Sequence, residues 1–318
     1  MLSPEVITAA LPHVVLTTDL GIGDRIEGKV RDIYLQGDRR MLVVSDRLSA
    51  FDRIITAVPF KGQVLNQLAA WWFEQTADVL DNHIISMPDP QVTLAREANA
   101  LPVEVVVRGY ITGVTSTALW TLYSDGVQRP YGLDLPTGLV KNQRLATPVI
   151  TPTTKGGPGE HDERLSSAEV VERGLVEPTL WAQIEQAALA LFARGTELAA
   201  ENGMILVDTK YEFGLVDGKL IVIDEVHTPD SSRYWYADTY DAAMAAGEEP
   251  RALDKEYMRR WLKDMGYTGD GAPPPVPESV IVECASRYIE AYERITGQTF
   301  VAGEQPALDR IRRAVSAQ

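Results

Sequence analysis

Asp208, Lys210 and Glu212 alternate along one apolar run, and Asp224 and Glu225 close the next, within LVDTKYEFGLVDGKLIVIDEVHTPDSSRYW, Leu206 to Trp235. Charged side chains are seldom buried without partners. Their accumulation inside Val/Ile/Leu-rich strands predicts a metal, a phosphate or an ion-pair network, and a nucleotide with Mg²⁺ would satisfy all three. Asp217-Gly218 between the runs is the favoured two-residue hairpin loop. Counting from it pairs Val216 with Lys219, Glu212 with Ile223 and Lys210 with Glu225, which leaves Glu212 and Asp224 on opposite faces. A one-residue bulge marked by Gly214 would bring Asp224 opposite Glu212; without it, Glu225 is the better partner. A Lys210–Glu225 cross-strand salt bridge, with the other charges solvated, is the simplest structural alternative.

Three further clusters can carry chemistry. In GKVRDIY, Gly28 to Tyr34, the glycine lets backbone amides approach phosphate oxygens while Lys29 and Arg31 supply a point charge and a planar fork. This is weaker than a P-loop, since GxxxxGK[ST] is absent. In LPVEVVVRGYITG, Leu101 to Gly113, Arg108 follows an apolar strand beside Gly109 and can grip a carboxylate or phosphate bidentately, or simply cap the strand end with Glu104 as partner. In TPTTKGGPGEHDE, Thr151 to Glu163, the cluster Lys155, Glu160, His161, Asp162 and Glu163 fits a substrate lid better than a metal site, because no HxH or HExxH spacing accompanies it. SDRLSAFD, Ser45 to Asp52, and Lys61-Gly62 add small and charged groups of low individual specificity.

The elements that must hold these groups can be read coarsely. Short strands over Asp32 to Leu35 and Met41 to Asp46 flank a turn at Gln36-Gly37-Asp38, and a helix follows over Val64 to Leu80, with Trp71, Trp72 and Phe73 as core. Val103 to Val107 predicts a strand and Ser116 to Tyr123 a short helix. The Gly-, Pro- and Thr-rich stretch Ser124 to Glu163 is longer than an ordinary connection and is expected to be a functional loop. Ser166 with Glu169 has capping-box spacing, and helices are predicted over Pro178 to Asn202, Asp254 to Met265 and Glu278 to Thr296.

At 318 residues the chain can bury two substantial cores. With 30 Lys+Arg against 45 Asp+Glu, its formal charge of −15 argues against a nucleic-acid partner, so an anionic substrate needs a local basic pocket. No apolar run is long enough for a membrane span and the first residues lack a basic n-region, so a cytoplasmic location is expected. The single cysteine, Cys284, excludes an intrachain disulfide and a cysteine-rich zinc site.

Taken together, GKVRDIY, SDRLSAFD, LPVEVVVRGYITG, TPTTK with GEHDE, LVDTKYEFG and DEVHTPDSSRYW resemble, in order and approximate spacing and over nearly the whole chain, the SAICAR synthetase (phosphoribosylaminoimidazole-succinocarboxamide synthase) family of purine biosynthesis. The resemblance implies an ATP-dependent ligase that phosphorylates the carboxylate of carboxyaminoimidazole ribotide and lets the amine of L-aspartate displace phosphate, giving SAICAR, ADP and phosphate. It implies an α+β fold with an N-terminal antiparallel sheet lobe, residues 1–103, a larger C-terminal lobe, residues 104–318, and ATP in the cleft between them. Ala98 to Val103 would contact adenine, by analogy with other inter-lobe strands.

By the same resemblance, Gly28, Lys29 and Arg31 hold ATP phosphates, Glu212 and Asp224 bind Mg²⁺, and a bulge brings those two carboxylates together. Lys210 lies beside the transferring phosphoryl group, with Asp208 orienting it or receiving substrate. Arg108, Asp230, Ser231 and Arg233 contact the ribotide, and Ser232 could add a hydroxyl. Members commonly carry serine where Val114 stands, and Ser116 or Thr115 is expected to replace it. Many also carry lysine in place of Arg31. A kinase would use a similar cation and carboxylate set but lacks its HRD and DFG signatures here; a non-catalytic nucleotide-binding module is the other rival. The helices after Ala237 have no chemical assignment, and both bracing and a homo-oligomer contact are open to them.

Overall fold

The computed structural model describes residues 1–51, 53–156, 162–253 and 256–317. Asp52, Glu160, His161 and Asp254, named above in the SDRLSAFD motif, the lid and a helix start, lie outside the described residues. After helix α1 (Pro4–Ala10), the chain builds strands β1 (Asp24–Glu27), β2 (Arg31–Gln36), β3 (Arg39–Val44), β4 (Arg47–Ala50) and β5 (Arg53–Ala57), then helix α2 (Lys61–Gln75). Strands β6 (Ile84–Asp89), β7 (Val92–Arg96) and β8 (Asn99–Ile111) lead to α3 (Leu119–Ser124), β9 (Gln143–Thr154), α4 (Ser167–Glu172) and the long helix α5 (Pro178–Glu201). The hairpin β10 (Met204–Val216) and β11 (Lys219–Ile223), strand β12 (Ser232–Tyr236), and helices α6 (Ala237–Ala246), α7 (Glu256–Asp264), α8 (Glu278–Thr296) and α9 (Ala307–Ser316) complete it.

The fold is α+β with antiparallel sheets, as expected. One five-stranded sheet runs β1-β2-β3-β7-β6; another runs β11-β10-β8-β9, with β12 also paired to β10; β4 and β5 form a separate ribbon. Helix α5 packs on the second sheet and α2 packs on α8 and β3, and the three share the main core, where Trp72 and Phe73 are buried together with Trp181, Phe192 and Tyr288. Helix α9 returns to pack Ala307, Ile311 and Val315 on Tyr34, Met41 and Val92 of the first sheet. Strand β8 runs continuously through residue 103.

Two local expectations are corrected. The stretch Ser124 to Glu163 is not simply a loop, because it contains β9, a strand of 12 residues paired with β8. Its Pro148 and Pro152 disguise it, yet β9 is an edge strand, where a missing N–H costs little. The short helix starts at Leu119 rather than Ser116. The Ser166/Glu169 capping box is present, with both reciprocal bonds formed.

Candidate active site

Strand β10 is the axis of the site. Asp208, Lys210 and Glu212 are two residues apart, so they share one face, and β8 lies alongside with Arg108 opposite Asp208, Val106 opposite Lys210 and Glu104 opposite Glu212. Arg108 Nη1 donates to Asp208 Oδ2 at 2.9 Å, and Arg108 Nε donates to Thr151 Oγ1 of β9 at 2.8 Å. Arg233, on β12, donates to the same Asp208 oxygen at 3.1 Å. Glu104 and Glu212 are like charges directly across the ladder, an arrangement that is unfavourable alone. Lys210 Nζ resolves it by donating to Glu104 Oε1 at 2.5 Å and to Glu212 Oε1 at 2.8 Å, while Lys155 binds the other Glu212 oxygen.

The hairpin pairs in its ideal register, Glu212 with Ile223 and Val216 with Lys219, so the predicted bulge between β10 and β11 does not occur. Gly214 does sit at a register shift, but on the opposite edge of β10, against β8. Asp224 reaches the site another way. Strand β11 ends at Ile223, Asp224 takes a left-handed backbone (φ 69°), and the chain rejoins the same edge of β10 only at Ser232, opposite Thr209. The connecting loop thus passes over Lys210, whose backbone N–H donates to Ser231 O at 3.0 Å. Leaving the strand re-aims the carboxylate more sharply than a bulge would.

Glu225 is not the partner of Lys210; Arg31 is ion-paired to Asp224 through Nη1 and to Glu225 through Nη2, the latter at 3.2 Å. The glycine–lysine turn near the amino terminus and the 206–233 segment therefore meet. That turn, between β1 and β2, is closed by Gly28 N–H donating to Arg31 O at 2.8 Å. Arg47 fixes it from behind, donating to Gly28 O at 2.9 Å, to Lys29 O at 3.1 Å and to buried Asp32 at 3.1 Å. Ser45 adds a bond from its hydroxyl to Val30 O at 2.8 Å. The SDRLSAFD motif is in this way scaffolding for the turn.

The electrostatics follow from this crowding. Burial pushes the Glu212 carboxyl up, but Lys210 and Lys155 outweigh it and hold the group below the usual carboxylate range. Asp224 is pushed up by burial, with Glu212 and Glu225 adding to the shift against Arg31. Glu104 is likewise raised by burial, which Lys210 opposes. Lys210 itself overcomes desolvation because Glu212 and Glu104 favour its charged form, so it stands as a fixed cation rather than a base.

A cavity of 250 Å³ opens on this face, lined by Arg108, Asp208, Lys210, Asp230, Ser231 and Arg233, with Thr115, Thr117 and Arg259 at its edges. Seven predicted residues, Asp208, Lys210, Arg108, Asp230, Ser231 and Arg233 with Glu212 beneath, are brought together here, and Arg31 and Asp224 adjoin them. Ser116 is exposed and absent from the lining, whereas Thr115 and Thr117 on either side of it line the cavity. The segment follows a turn at Gly113, whose φ of 105° and whose 2.5 Å spacing between a Cβ placed there and Ala118 Cβ require glycine. A neighbouring basic pocket of 340 Å³ shares Arg233, Thr115 and Arg259 and is lined by Val114, Lys141, Arg260 and Lys263.

Sequence reasoning placed Lys155 in a lid and Arg47 and Lys61 in motifs of low specificity, without giving any of them its role in this assembly; Arg259 carried no signal and was missed. Among the described residues, no group of three or more His, Cys, Asp or Glu side chains is arranged to hold a metal. Glu212 and Asp224 offer hard carboxylate oxygens, which suits Mg²⁺, an ion commonly held by one or two carboxylates with substrate phosphates and water completing its shell.

Residues 24–275 match the family model described as SAICAR synthetase. A phosphoribosylaminoimidazole-succinocarboxamide synthase of Legionella pneumophila (strain Lens) is 48% identical over 298 residues, covering 93% of this chain and 95% of that protein. A chloroplastic phosphoribosylaminoimidazole-succinocarboxamide synthase of Arabidopsis thaliana is 46% identical over 306 residues, covering 95% of this chain and 74% of that one. A solved SAICAR-synthase from Saccharomyces cerevisiae, complexed with SAICAR, is 32% identical with a TM-score of 0.78 and covers 91% of this chain and 100% of that one. The chain belongs to the SAICAR synthetase family. It is an enzyme, a ligase of purine biosynthesis. Among the described residues, no helix is long and apolar enough to cross a membrane.

Proposed function

We propose that the chain joins L-aspartate to carboxyaminoimidazole ribotide at the expense of ATP, in the cytoplasm, through an acyl phosphate. A carboxylate oxygen is a poor leaving group, so the ribotide carboxylate first attacks the γ-phosphorus of ATP and ADP departs. The aspartate amine then attacks the activated carbonyl, loses a proton, and phosphate leaves with the amide formed. Catalysis of both steps rests on positioning and charge neutralisation.

Lys210, kept cationic by Glu104 and Glu212, stands where charge on the transferring group has to be offset. Asp208 holds Arg108 and Arg233 at one oxygen and so fixes two forks toward the anionic ribotide. Asp230 and Ser231 supply acceptor and hydroxyl contacts from the loop, and Thr115 takes the place expected of Ser116. Gly28, Lys29 and Arg31 form the ATP-phosphate turn. Glu212 and Asp224 would hold Mg²⁺, which when bound supplies charge neutralisation at phosphate oxygens. The site lies between an N-terminal lobe ending near residue 103 and the remainder of the chain.

The observation that carries this reading is the meeting of the Arg31 turn with Asp224 and Glu225 beside the Lys210 cavity. Cations for two anionic substrates converge there on a chain of strongly negative net charge. Incubation with ATP, Mg²⁺, L-aspartate and carboxyaminoimidazole ribotide, each omitted in turn, tests it by mass spectrometry. SAICAR is expected only in the complete mixture; ADP release indifferent to aspartate would point to a kinase instead.

A further inference from the structure

Lys61 is fully buried, with 0% exposure, at the first position of helix α2. A cation there opposes the helix dipole, which favours negative charge at an N-terminus, and a buried ammonium is costly unless it is paired. Its Nζ donates to Asp230 Oδ2 at 2.8 Å, and the other Asp230 oxygen accepts from the Tyr288 hydroxyl of α8 at 2.6 Å. Lys61 Nζ also lies 5.5 Å from the centroid of the Tyr288 ring. Each carboxylate oxygen of Asp230 thus has a fixed donor, and Asp230 lines the cavity.

The start of α2 is itself held rigidly. Asp46 accepts from Gly62 N–H at 2.9 Å and from Val15 N–H at 2.7 Å. Gly62 has to be glycine, since a Cβ would sit 2.3 Å from Val44 O and 2.6 Å from Gln91 Nε2. Arg310 of α9 donates to Gln91 Oε1 at 2.8 Å and to Asp89 Oδ2 at 2.8 Å, bracing that corner from the C-terminal end of the chain. As a bare staple the Lys61–Asp230 pair would be a poor choice, because apolar residues of similar volume commonly match or exceed a buried ion pair in stability.

We infer that Lys61 and Tyr288 are positioning residues for Asp230, fixing its carboxylate, charged and aimed, for hydrogen-bond donors of the ribotide. The inference rests on the proposed ribotide role of Asp230 and gives a function to the Lys61-Gly62 pair, to Asp46 and to α8. Kinetic constants for each substrate, with melting temperatures, test it in Tyr288→Phe, Lys61→Met, Asp230→Asn and the Lys61→Met/Asp230→Asn double variant. Loss of one bond to a charged group predicts a ribotide KM raised about tenfold in Tyr288→Phe, and further in Lys61→Met, with the ATP KM within about twofold of the parent. Lys61→Met is expected to add less than about twofold in the Asp230→Asn background, since it acts through that carboxylate. If Asp230→Asn raises the ribotide KM while Tyr288→Phe and Lys61→Met leave it unchanged, or raise every KM together as stability falls, the positioning role is overturned. An unchanged ribotide KM in Asp230→Asn would remove Asp230 from the site and the inference with it. Should Lys61→Met fail to fold, Tyr288→Phe, which keeps the ring and the lysine, decides the matter alone.

Discussion

Arg31 and Asp224, 193 residues apart in the chain, form an ion pair that joins the first sheet to the loop between β11 and β12 of the second. Its removal leaves Asp224 and Glu225 without their shared cation. Arg31→Met is expected to cost about 2 kcal/mol, less than a fully buried pair would, because the Asp224 side chain keeps 25% exposure. Urea denaturation at neutral pH measures it, and an unaltered midpoint would show the contact to be energetically idle.

Glu212 sits between Lys155 and Lys210, so a neutral isostere should keep the shape and lose the charge. Glu212→Gln is expected to raise the Mg²⁺ concentration for half-maximal rate by roughly tenfold. Normal Mg²⁺ dependence in that variant would refute Glu212 as a ligand.

Arg233 shares Asp208 with Arg108 yet remains partly open to the cavity. Arg233→Ala should raise the ribotide KM by roughly 10- to 100-fold with a much smaller effect on kcat, as expected for loss of a charged fork that binds substrate and transition state alike. Steady-state kinetics with the ribotide varied gives the split; a kcat loss at constant KM would reassign the residue to the chemical step.

Thr115 lines the cavity and its neighbour Ser116 does not. Ser116→Ala is expected to leave the ribotide KM unchanged, while Thr115→Val raises it severalfold, the worth of about one neutral hydrogen bond. The reverse pattern would put Ser116 back in the site.

His83 and His227 are held neutral to about pH 3, in both cases chiefly by burial, with Arg31 and Arg40 adding to the shift at His83. Their folded pKa values lie below the unfolded value near 6.5, so the unfolded chain binds more protons below that pH. Stability should therefore fall as pH drops from about 6.5 toward 3, each histidine contributing up to about 1.4 kcal/mol per pH unit. Denaturant titrations from pH 7 to pH 5 check the slope. His83→Phe, set against Phe73 as the histidine is, should reduce it; an identical slope would mean that His83 is already charged in the fold.

Local pattern made much of the architecture legible. Asp217-Gly218 predicted the β10–β11 register from Val216–Lys219 to Glu212–Ile223, and the helix Glu278–Thr296 was read with its observed bounds. Strand β9 was hidden because its prolines are tolerable only at an edge, and being an edge is a property of the assembled sheet. The position of Asp224 was hidden for a related reason: a single left-handed residue after Ile223 turns the chain, and an aspartate can adopt that conformation without announcing it.

The residues by themselves determined which chemistry was available: alternating carboxylates and lysine on one strand face, arginines at strand ends and a glycine-containing cationic turn, all fixed by type and local spacing. The tertiary structure alone decided which charges meet. Arg31 finds Asp224, Lys210 finds Glu104, and Lys61 finds Asp230, each across more than a hundred residues of chain. Periodicity specifies the face on which a side chain lies, but the partner of a buried charge is chosen by sheet order and loop path, which no local pattern encodes.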